Sequence, residues 1–430
     1  MSTALEVFRE VAAAYPRCFW LDGGGAREWS GGRSTIGWLE PDDASITYDA
    51  GRREVTRHAG GRSEVVGDDV FAVLEAELAA GSPEDLWVGY LGYACRPDLP
   101  ATTGGGLPDA VWMRPSGVRY FDHGLVGQSR HLSAEASPDK CGFPRPAGET
   151  VPAAYRAAFD RVQEQLRAGN TYEVNLTYRL EERSTAAPAE VYERLRELNP
   201  APYAGFVQHD VTDVAGARAW LLSSSPERYA RIEADRTVET RPIKGTTPRG
   251  ATPEEDEAQR RRLAEDAKFR AENLMIVDLL RNDLSMVCAP GTVEVPGLME
   301  VETYPSVHQL VSTVRGRLRD DVTTVEAVRA LFPAGSMTGA PKLRTMQVIE
   351  AVEDSPRGPY AGALGWIGAD GRADLGVVIR SPTTAGDGRY VLGTGGGITV
   401  RSEVADEHAE SVWKAERLLA ALEPADRRQA

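Results

Sequence analysis

The sequence predicts an α+β fold, in which antiparallel strands and helices follow one another in no regular order. Short apolar runs separated by Gly-rich turns dominate the first third of the chain and are typical of strands joined by turns. Further along, apolar residues recur at the three- and four-residue spacing of helices, between other strand-like runs. Because strands and helices do not alternate one for one, a doubly wound parallel sheet is not expected.

The first third contains four strand candidates, at residues 17–22, 34–39, 86–93 and 110–121. The clearest helix candidate covers residues 155–168, where apolar residues share one face and Gly169 ends the run. The remaining elements are predicted as helices at 253–282, 324–331, 341–353 and 403–422, and as strands at 172–180, 219–223, 377–379 and 390–392.

A change in composition divides the chain. Residues 127–152 are rich in Ser, Pro, Gly and charged residues, which is typical of a linker. We therefore expect an N-terminal lobe at residues 1–126, a linker at 127–152 and a larger domain at 153–424 that carries the candidate site residues.

The composition of the 430 residues narrows the classes of function. Hydrophobic residues make up 42% and charged residues 26%, as in ordinary globular proteins, and no apolar stretch approaches the roughly 20 residues of a membrane span. A net charge of −15 argues against nucleic-acid binding, which needs a basic face. The four cysteines have no paired spacing, so neither a disulfide framework nor a zinc site is predicted. The first residues do not resemble a secretion signal, and we expect a cytoplasmic protein.

Lysine is rare in this chain, because five of the 49 basic residues are lysines and 44 are arginines. A lysine therefore indicates a place where a compact charge or a titratable amine is needed. Lys244 lies in a turn framed by Pro242 and Gly245. Burial in such a turn can lower the pKa of an amine and make it a nucleophile; a plain surface lysine is the alternative.

Acidic residues form a second group of candidates. Glu407, Glu410 and Lys414 share one face of the last predicted helix, which is either a solvated face with an ion pair or part of a site. Glu272 lies among apolar residues, where a carboxylate is costly unless it is paired or bound to a metal. Glu272 and Glu410 together would suit Mg²⁺. The glycines at 395–397 follow a predicted strand and form either a ligand-binding backbone segment or a simple turn.

Seven motifs occur in a fixed order along the chain: YEVNLT at 172–177, NPAPY at 199–203, SPER at 225–228, PIKGT at 242–246, AENLMIVDLLRNDL at 271–284, GSMTGAPK at 335–342 and GGGI at 395–398. Together they resemble the chorismate-utilising enzymes, which include anthranilate synthase component I, aminodeoxychorismate synthase component I, and the isochorismate and salicylate synthases. Weaker matches at 33–37 and 89–93 extend the resemblance into the N-terminal lobe.

The resemblance implies two antiparallel sheets packed face to face as a sandwich, surrounded by helices, with the chorismate-binding catalytic domain at 153–424. It implies that Mg²⁺ is the cofactor and that its ligands are Glu272, Glu410 and Glu407. The implied substrate-binding residues are Thr246, Thr338, Tyr360, Arg380, Gly395, Gly396, Gly397 and Lys414, with Arg380 gripping the enolpyruvyl carboxylate. The implied catalytic residues are Lys244, Glu227 as general acid, and His308.

One residue indicates which subgroup of this family the chain resembles. Anthranilate synthases carry alanine at the position of Lys244, whereas lysine in PIKGT is similar to the aminodeoxychorismate synthases. The implied reaction begins with addition of the Lys244 amine to the chorismate ring, while Glu227 protonates the departing hydroxyl. Ammonia then displaces the lysine, and the product is 4-amino-4-deoxychorismate, a precursor of para-aminobenzoate or of amino-aromatic natural products.

The ammonia needs a source. The sequence has no Gly-x-Cys-x-Gly segment of the kind that carries a glutaminase nucleophile, so we expect a separate glutamine amidotransferase subunit as partner. Two alternatives stay open. The first is formation of anthranilate or isochorismate from the same substrate, and the second is a non-catalytic paralogue that binds chorismate.

Two positions depart from the family pattern. The family usually has an acidic residue three before the metal-binding glutamate, and here that residue is Phe269. Asp266 or another carboxylate would have to substitute, or Mg²⁺ would bind more weakly. The segment at 20–23 also lacks the serine of the tryptophan-sensing anthranilate enzymes, so feedback inhibition by tryptophan is not expected.

Overall fold

The computed structural model describes residues 2–23, 32–123, 150–304 and 307–423. These residues form helices and two large antiparallel sheets, which confirms the predicted α+β class. Most of the predicted linker at 127–152 lies outside the described residues. Among the described helices, none combines the length and the apolar composition of a transmembrane span.

The helices of the described residues begin where the sequence provides caps. Thr3, Thr252 and Thr323 each accept a hydrogen bond from a backbone amide in the first turn, and a glutamate three residues later completes the capping box. The helices are α1 Ala4–Ala14, α2 Val70–Ala80, α3 Ala153–Arg167, α4 Pro188–Leu198, α5 Pro253–Glu265, α6 Ala267–Ser285, α7 Thr324–Leu331, α8 Lys342–Val352 and α9 Val404–Leu422.

The strands, in chain order, are β1 Arg17–Asp22, β2 Arg33–Trp38, β3 Ser45–Asp49, β4 Glu54–Ala59, β5 Arg62–Gly67, β6 Leu86–Leu91, β7 Ala110–Met113, β8 Gly117–Asp122, β9 Glu173–Arg183, β10 Tyr203–His209, β11 Ala219–Ser225, β12 Arg228–Ile232, β13 Thr237–Arg241, β14 Ile243–Pro248, β15 Glu294–Thr303, β16 Val307–Arg317, β17 Gly339–Ala340, β18 Ala363–Gly368, β19 Ala373–Val377, β20 Thr383–Thr384 and β21 Arg389–Ile398. The first sheet has the order β17-β9-β21-β20-β11-β10-β1-β2-β8. The second has the order β14-β16-β13-β12-β19-β18-β6-β7-β3-β4-β5, with β15 paired to β16. Each sheet therefore combines strands from residues 1–126 with strands from residues 153–424.

The two sheets pack face to face, and helices cover their outer faces. Phe19 and Leu221 of the first sheet share one buried cluster with Val88 and Val111 of the second. Helices α1, α4 and α9 pack on the outer face of the first sheet, and α2, α6 and α7 pack on that of the second. The sandwich implied by the resemblance is confirmed.

Two predicted elements are each divided in the structure. The run at 110–121 forms two strands, because Pro115 follows β7 and the chain crosses from the second sheet to β8 in the first. The helix predicted at 253–282 ends at Glu265 and restarts as α6. Asp266 has an extended backbone, and its carboxylate accepts hydrogen bonds from the amides of Lys268 and Phe269.

Candidate active site

A cavity of about 120 Å³ lies where β14 and β21 meet the helices α6 and α9. Of the predicted site residues, all except His308 and Thr338 line it: Glu227, Lys244, Thr246, Glu272, Tyr360, Arg380, Gly395, Gly396, Gly397, Glu407, Glu410 and Lys414. Residues as far apart in the sequence as Glu227 and Lys414 are thus brought to one place by the sandwich. Three of the five lysines of the chain, Lys244, Lys268 and Lys414, lie in this cavity.

The glycine run forms part of the cavity wall. These glycines do not follow a strand, as predicted, but belong to β21, where Gly397 pairs with Asn175 of β9. On its other side β21 pairs with β20 only at Val391, so β20 does not cover the glycines. A Cβ atom on Gly393 would lie 2.3 Å from the ring of Tyr360. The absence of side chains here leaves space for the groups that face the cavity.

Lys244 lies on β14 rather than in a turn, and only 7% of its surface is exposed. Its Nζ donates a hydrogen bond to Oε1 of Glu173 in a buried ion pair. Burial alone would lower the pKa of this amine, but the carboxylates of Glu173 and Glu272 outweigh burial and raise the pKa above its usual 10.5. In the unliganded protein these carboxylates therefore act against the lowering that burial by itself would cause.

The predicted metal ligands come together from two helices. Glu272 of α6 is 7% exposed, and its Oε1 has no hydrogen-bond partner among the described residues. Burial and the charge of Glu173 raise its pKa to about 8. Lys268 lies between the two helices, 2.5 Å from Oε1 of Glu407 and 3.9 Å from Oε1 of Glu272. Glu410 pairs with Lys414 at 2.8 Å, and Lys414 also donates to the carbonyl of Gly395.

These carboxylates are hard oxygen donors of the kind that Mg²⁺ prefers. Among the described residues, no three acidic, histidine or cysteine side chains converge closely enough to hold an ion by themselves. Mg²⁺, however, usually takes only one or two protein carboxylates and completes its shell with water and substrate oxygens. The unpartnered, buried Oε1 of Glu272 fits such a ligand.

Glu227 lies between β11 and β12, with 6% of its surface exposed. The hydroxyl of Ser336 donates a hydrogen bond to its Oε1 at 2.6 Å. Burial raises the pKa of Glu227 to about 7, although the hydrogen bond from Ser336 acts in the opposite direction. A carboxylic acid with a pKa near neutrality is suited to donate a proton at physiological pH.

Arg380 follows β19 in a left-handed backbone conformation, with φ of 53°. Its guanidinium lies over the ring of Trp413, 5.6 Å from the centroid. Among the described residues, no carboxylate lies within 4 Å of it, and burial together with the charge of Arg417 lowers its pKa to about 10. A partly buried guanidinium without an acidic partner is a natural binding group for an anionic ligand.

The structure does not bring His308 or Thr338 to the cavity wall. Because neighbouring side chains of a strand point to opposite faces, Gln309 of β16 lines the cavity, while His308 hydrogen-bonds to Asp256 at 2.9 Å. The catalytic role implied for His308 stays a prediction. The hydroxyl of Thr338 donates to the carbonyl of Gly335 at 3.2 Å, and its implied substrate contact likewise stays a prediction.

Phe269, at the position where the resemblance implies an acidic residue, lines the cavity, and Asp266 caps α6. A Cβ atom on Gly245, which has φ of 92°, would lie 2.9 Å from the Phe269 ring. Phe269 therefore packs against the backbone next to Lys244.

Several polar residues of the site were not predicted as site residues, among them Glu173, Asn175, Lys268, Gln309 and Ser336. A signal was available for most of them: Lys268 is one of only five lysines, and Glu173, Asn175 and Ser336 lie in the motifs YEVNLT and GSMTGAPK. Gln309 has no distinctive spacing, and only the fold brings it to the cavity.

Comparison with known proteins gives a family. A family model described as chorismate binding enzyme matches residues 16–420. The chain belongs to this family. The residues that line the cavity all fall within the matched range.

Relatives within the family carry two names. The aminodeoxychorismate synthase of Streptomyces pristinaespiralis is 40% identical, over 97% of this chain and 63% of that protein. The anthranilate synthase component 1 of Streptomyces coelicolor is 36% identical, over 79% of this chain and 73% of the relative. A crystal structure of anthranilate synthase component I from Streptococcus pneumoniae is 26% identical and superimposes with a TM-score of 0.72, covering 90% of this chain and 92% of that one. The chain thus spans less than two thirds of the S. pristinaespiralis relative.

Proposed function

We propose that this chain catalyses the Mg²⁺-dependent amination of chorismate to 4-amino-4-deoxychorismate, with ammonia supplied by a glutamine amidotransferase subunit. The observation that carries the proposal is the position of the Lys244 amine, which lies buried in the cavity that Glu227 and Arg380 also line. An amine in this position can act as a nucleophile toward a ring bound there. The 40% identity to an aminodeoxychorismate synthase supports the same reaction.

Chorismate carries two carboxylates, and the cavity offers separate groups for them. The guanidinium of Arg380 has no acidic partner among the described residues and can bind one carboxylate through two parallel hydrogen bonds. Carboxylates among Glu272, Glu407 and Glu410, together with water and substrate oxygens, would hold Mg²⁺, whose charge would neutralise the other carboxylate. Tyr360 and the glycine backbone of β21 confine the ring between these two ends.

The chemistry proceeds in two displacements. In the first, the neutral Lys244 amine bonds to the ring, and the hydroxyl leaves with a proton from Glu227 as water. In the second, ammonia bonds to the carbon that lost the hydroxyl, and the bond to Lys244 breaks. The amino group of the product then returns a proton to Glu227, which is ready for the next cycle. Two displacements replace one difficult substitution.

The amidotransferase partner is supported by the relatives. Those from Streptomyces coelicolor and Streptococcus pneumoniae are named as component 1 or component I of an enzyme, which implies a second component. We propose that this chain likewise receives ammonia from a second subunit. Free ammonium at high concentration should replace that subunit in an assay.

The decisive test is mass analysis of the product formed from chorismate, Mg²⁺ and ammonium. We expect a product that keeps its enolpyruvyl group and gains an amino group in place of the hydroxyl, with no release of pyruvate. Lys244→Ala should lower this reaction by about 10³-fold or more, because the covalent route is lost. Anthranilate with pyruvate, or an isomer of chorismate, would instead show one of the other family reactions. Binding of chorismate without any turnover would show a non-catalytic paralogue.

A further inference from the structure

Glu173 is a buried carboxylate to which the two displacements assign no role. It begins β9 and has 0% of its surface exposed. Its Oε1 accepts the hydrogen bond from Nζ of Lys244, while its Oε2 has no hydrogen-bond partner among the described residues. A buried carboxylate with one unsatisfied oxygen is costly for folding, so a functional role is the better explanation for its presence.

The surrounding backbone leaves room for this ion pair. A Cβ atom on Gly397 would lie 2.4 Å from Oε1 of Glu173 and 3.3 Å from Nζ of Lys244. Any side chain at this position would therefore push the carboxylate and the amine apart. Within the described part of the chain, Glu173 is the carboxylate that lies within 4 Å of Nζ of Lys244.

Nζ of Lys244 is held in a buried ion pair with Glu173, and an ammonium has no lone pair with which to attack a ring. A proton acceptor in direct contact is needed before the first displacement. We propose that Glu173 is the catalytic base that takes a proton from Lys244 when chorismate is bound. This inference rests on the proposed function, because it needs Lys244 to be the nucleophile.

Every proton that is transferred in the catalytic cycle is returned by its end. Lys244 gives one proton to Glu173, and its neutral amine then bonds to the ring while the hydroxyl leaves as water with the proton of Glu227. Ammonia bonds to the ring and Lys244 leaves as a neutral amine. The new ammonium group of the product gives one proton to Glu227, and Glu173 returns its proton to Lys244. Chorismate and ammonia become the amino product and water.

The test is a double-mutant cycle with Glu173→Gln, Lys244→Ala and the two together, assayed on the full chain with saturating ammonium and Mg²⁺. Glu182→Gln is the matched control, because Glu182 is exposed near the far end of the same strand. Each variant is also measured for chorismate affinity by calorimetry and for thermal unfolding.

We expect Glu173→Gln to lower kcat by about 10²-fold or more, with KM within about threefold of the parent, as for loss of a general base. The loss should shrink as the pH rises, because hydroxide then deprotonates the amine. Adding Glu173→Gln to Lys244→Ala should cause no further loss, since both residues serve one step. Glu173→Asp, which keeps a carboxylate, should retain more activity than Glu173→Gln.

Two outcomes are distinguishable failures. If Lys244→Ala is slow but Glu173→Gln keeps kcat within threefold of the parent, or if the two losses multiply in the double variant, Glu173 is not the base and the lysine route stands. If Lys244→Ala itself aminates chorismate at the parent rate, the proposed function loses its nucleophile and the inference falls with it. If Glu173→Gln also lowers the melting temperature, Glu173→Asp shows whether activity follows the carboxylate or the stability, because this variant keeps the carboxylate.

Discussion

Within the described residues, two of the clusters of buried charge differ in how completely they are paired. In the first, near the end of α8, both oxygens of Glu353 are satisfied. Oε1 accepts hydrogen bonds from the amide and hydroxyl of Thr177 and from Arg357, and Oε2 accepts from Arg357 and Arg179. Burial would raise the pKa of Glu353, but the two arginines outweigh burial and lower it.

The second cluster is the cavity, and its pairing is incomplete. Oε1 of Glu272 and Oε2 of Glu173 have no hydrogen-bond partner among the described residues, and no described carboxylate pairs with Arg380. Breaking a fully paired cluster destabilises the fold, whereas carboxylate oxygens and a guanidinium that keep hydrogen-bonding capacity at a cavity wall are available to a ligand. The two clusters should therefore respond differently to substitution: one through stability, the other through binding and catalysis.

The largest effect on stability is expected for Glu353→Gln. The substitution leaves Arg179 and Arg357 as buried charges without a counter-ion, and loss of one partner of a buried pair costs about 3–5 kcal/mol. Urea unfolding of the variant should show this loss in the free energy of unfolding. Glu350→Gln, on the exposed side of the same helix, is the control and should change the free energy by less than about 0.5 kcal/mol. Equal stability of the two variants would contradict the structural role of the Glu353 cluster.

Arg380→Lys should act through binding instead. Lysine keeps the positive charge but cannot form two parallel hydrogen bonds to a carboxylate. We expect KM for chorismate to rise by about 30- to 100-fold, while the free energy of unfolding stays within about 1 kcal/mol of the parent. Arg417→Lys is the control: it makes the same change of side chain on α9, four residues after the Trp413 over which Arg380 lies. A normal KM in Arg380→Lys would show that the carboxylate binds elsewhere.

Glu272→Gln tests the metal without relying on turnover. The parent should gain thermal stability when Mg²⁺ is added, because a ligand that binds the folded state stabilises it. The variant should lose most of that gain. Since it also removes a carboxylate whose pKa is raised to about 8, its stability at neutral pH without Mg²⁺ should equal or exceed that of the parent. An unchanged Mg²⁺ response would place the metal away from Glu272.

The sequence was most informative where residue type alone limits the environment. The spacing of Glu407, Glu410 and Lys414 on one helix face predicted side chains that do line the cavity. The rarity of lysine pointed to Lys244 in the same way. Strand register is harder to read, because a shift of one residue moves a side chain to the other face. In β16, Gln309 lines the cavity, whereas the neighbouring His308, whose role the resemblance implied, hydrogen-bonds to Asp256.

Pairing across the fold could not be read from the chain at all. The partner of Lys244 is 71 positions away, on a strand of the other sheet. The pKa of its amine depends on that partner as well as on burial, and the local sequence could indicate only the burial. The division of the helix at Asp266 was missed for a different reason: no Gly or Pro interrupts residues 254–282, and only the capping geometry marks the break.

The smallest predicted effect concerns the pH dependence of the general acid. Glu227 must be protonated to assist departure of the hydroxyl, so kcat/KM should fall as the pH rises through about 7, the pKa to which burial raises this group. Ser336 donates a hydrogen bond that favours the charged form of Glu227 and holds the pKa down. Ser336→Ala should therefore move the alkaline limb of the profile upward by up to about one pH unit, since a hydrogen bond of about 1 kcal/mol corresponds to less than one unit. If the alkaline limb stays in place in Ser336→Ala, or if it disappears only in Glu173→Gln, the group that titrates there is not Glu227.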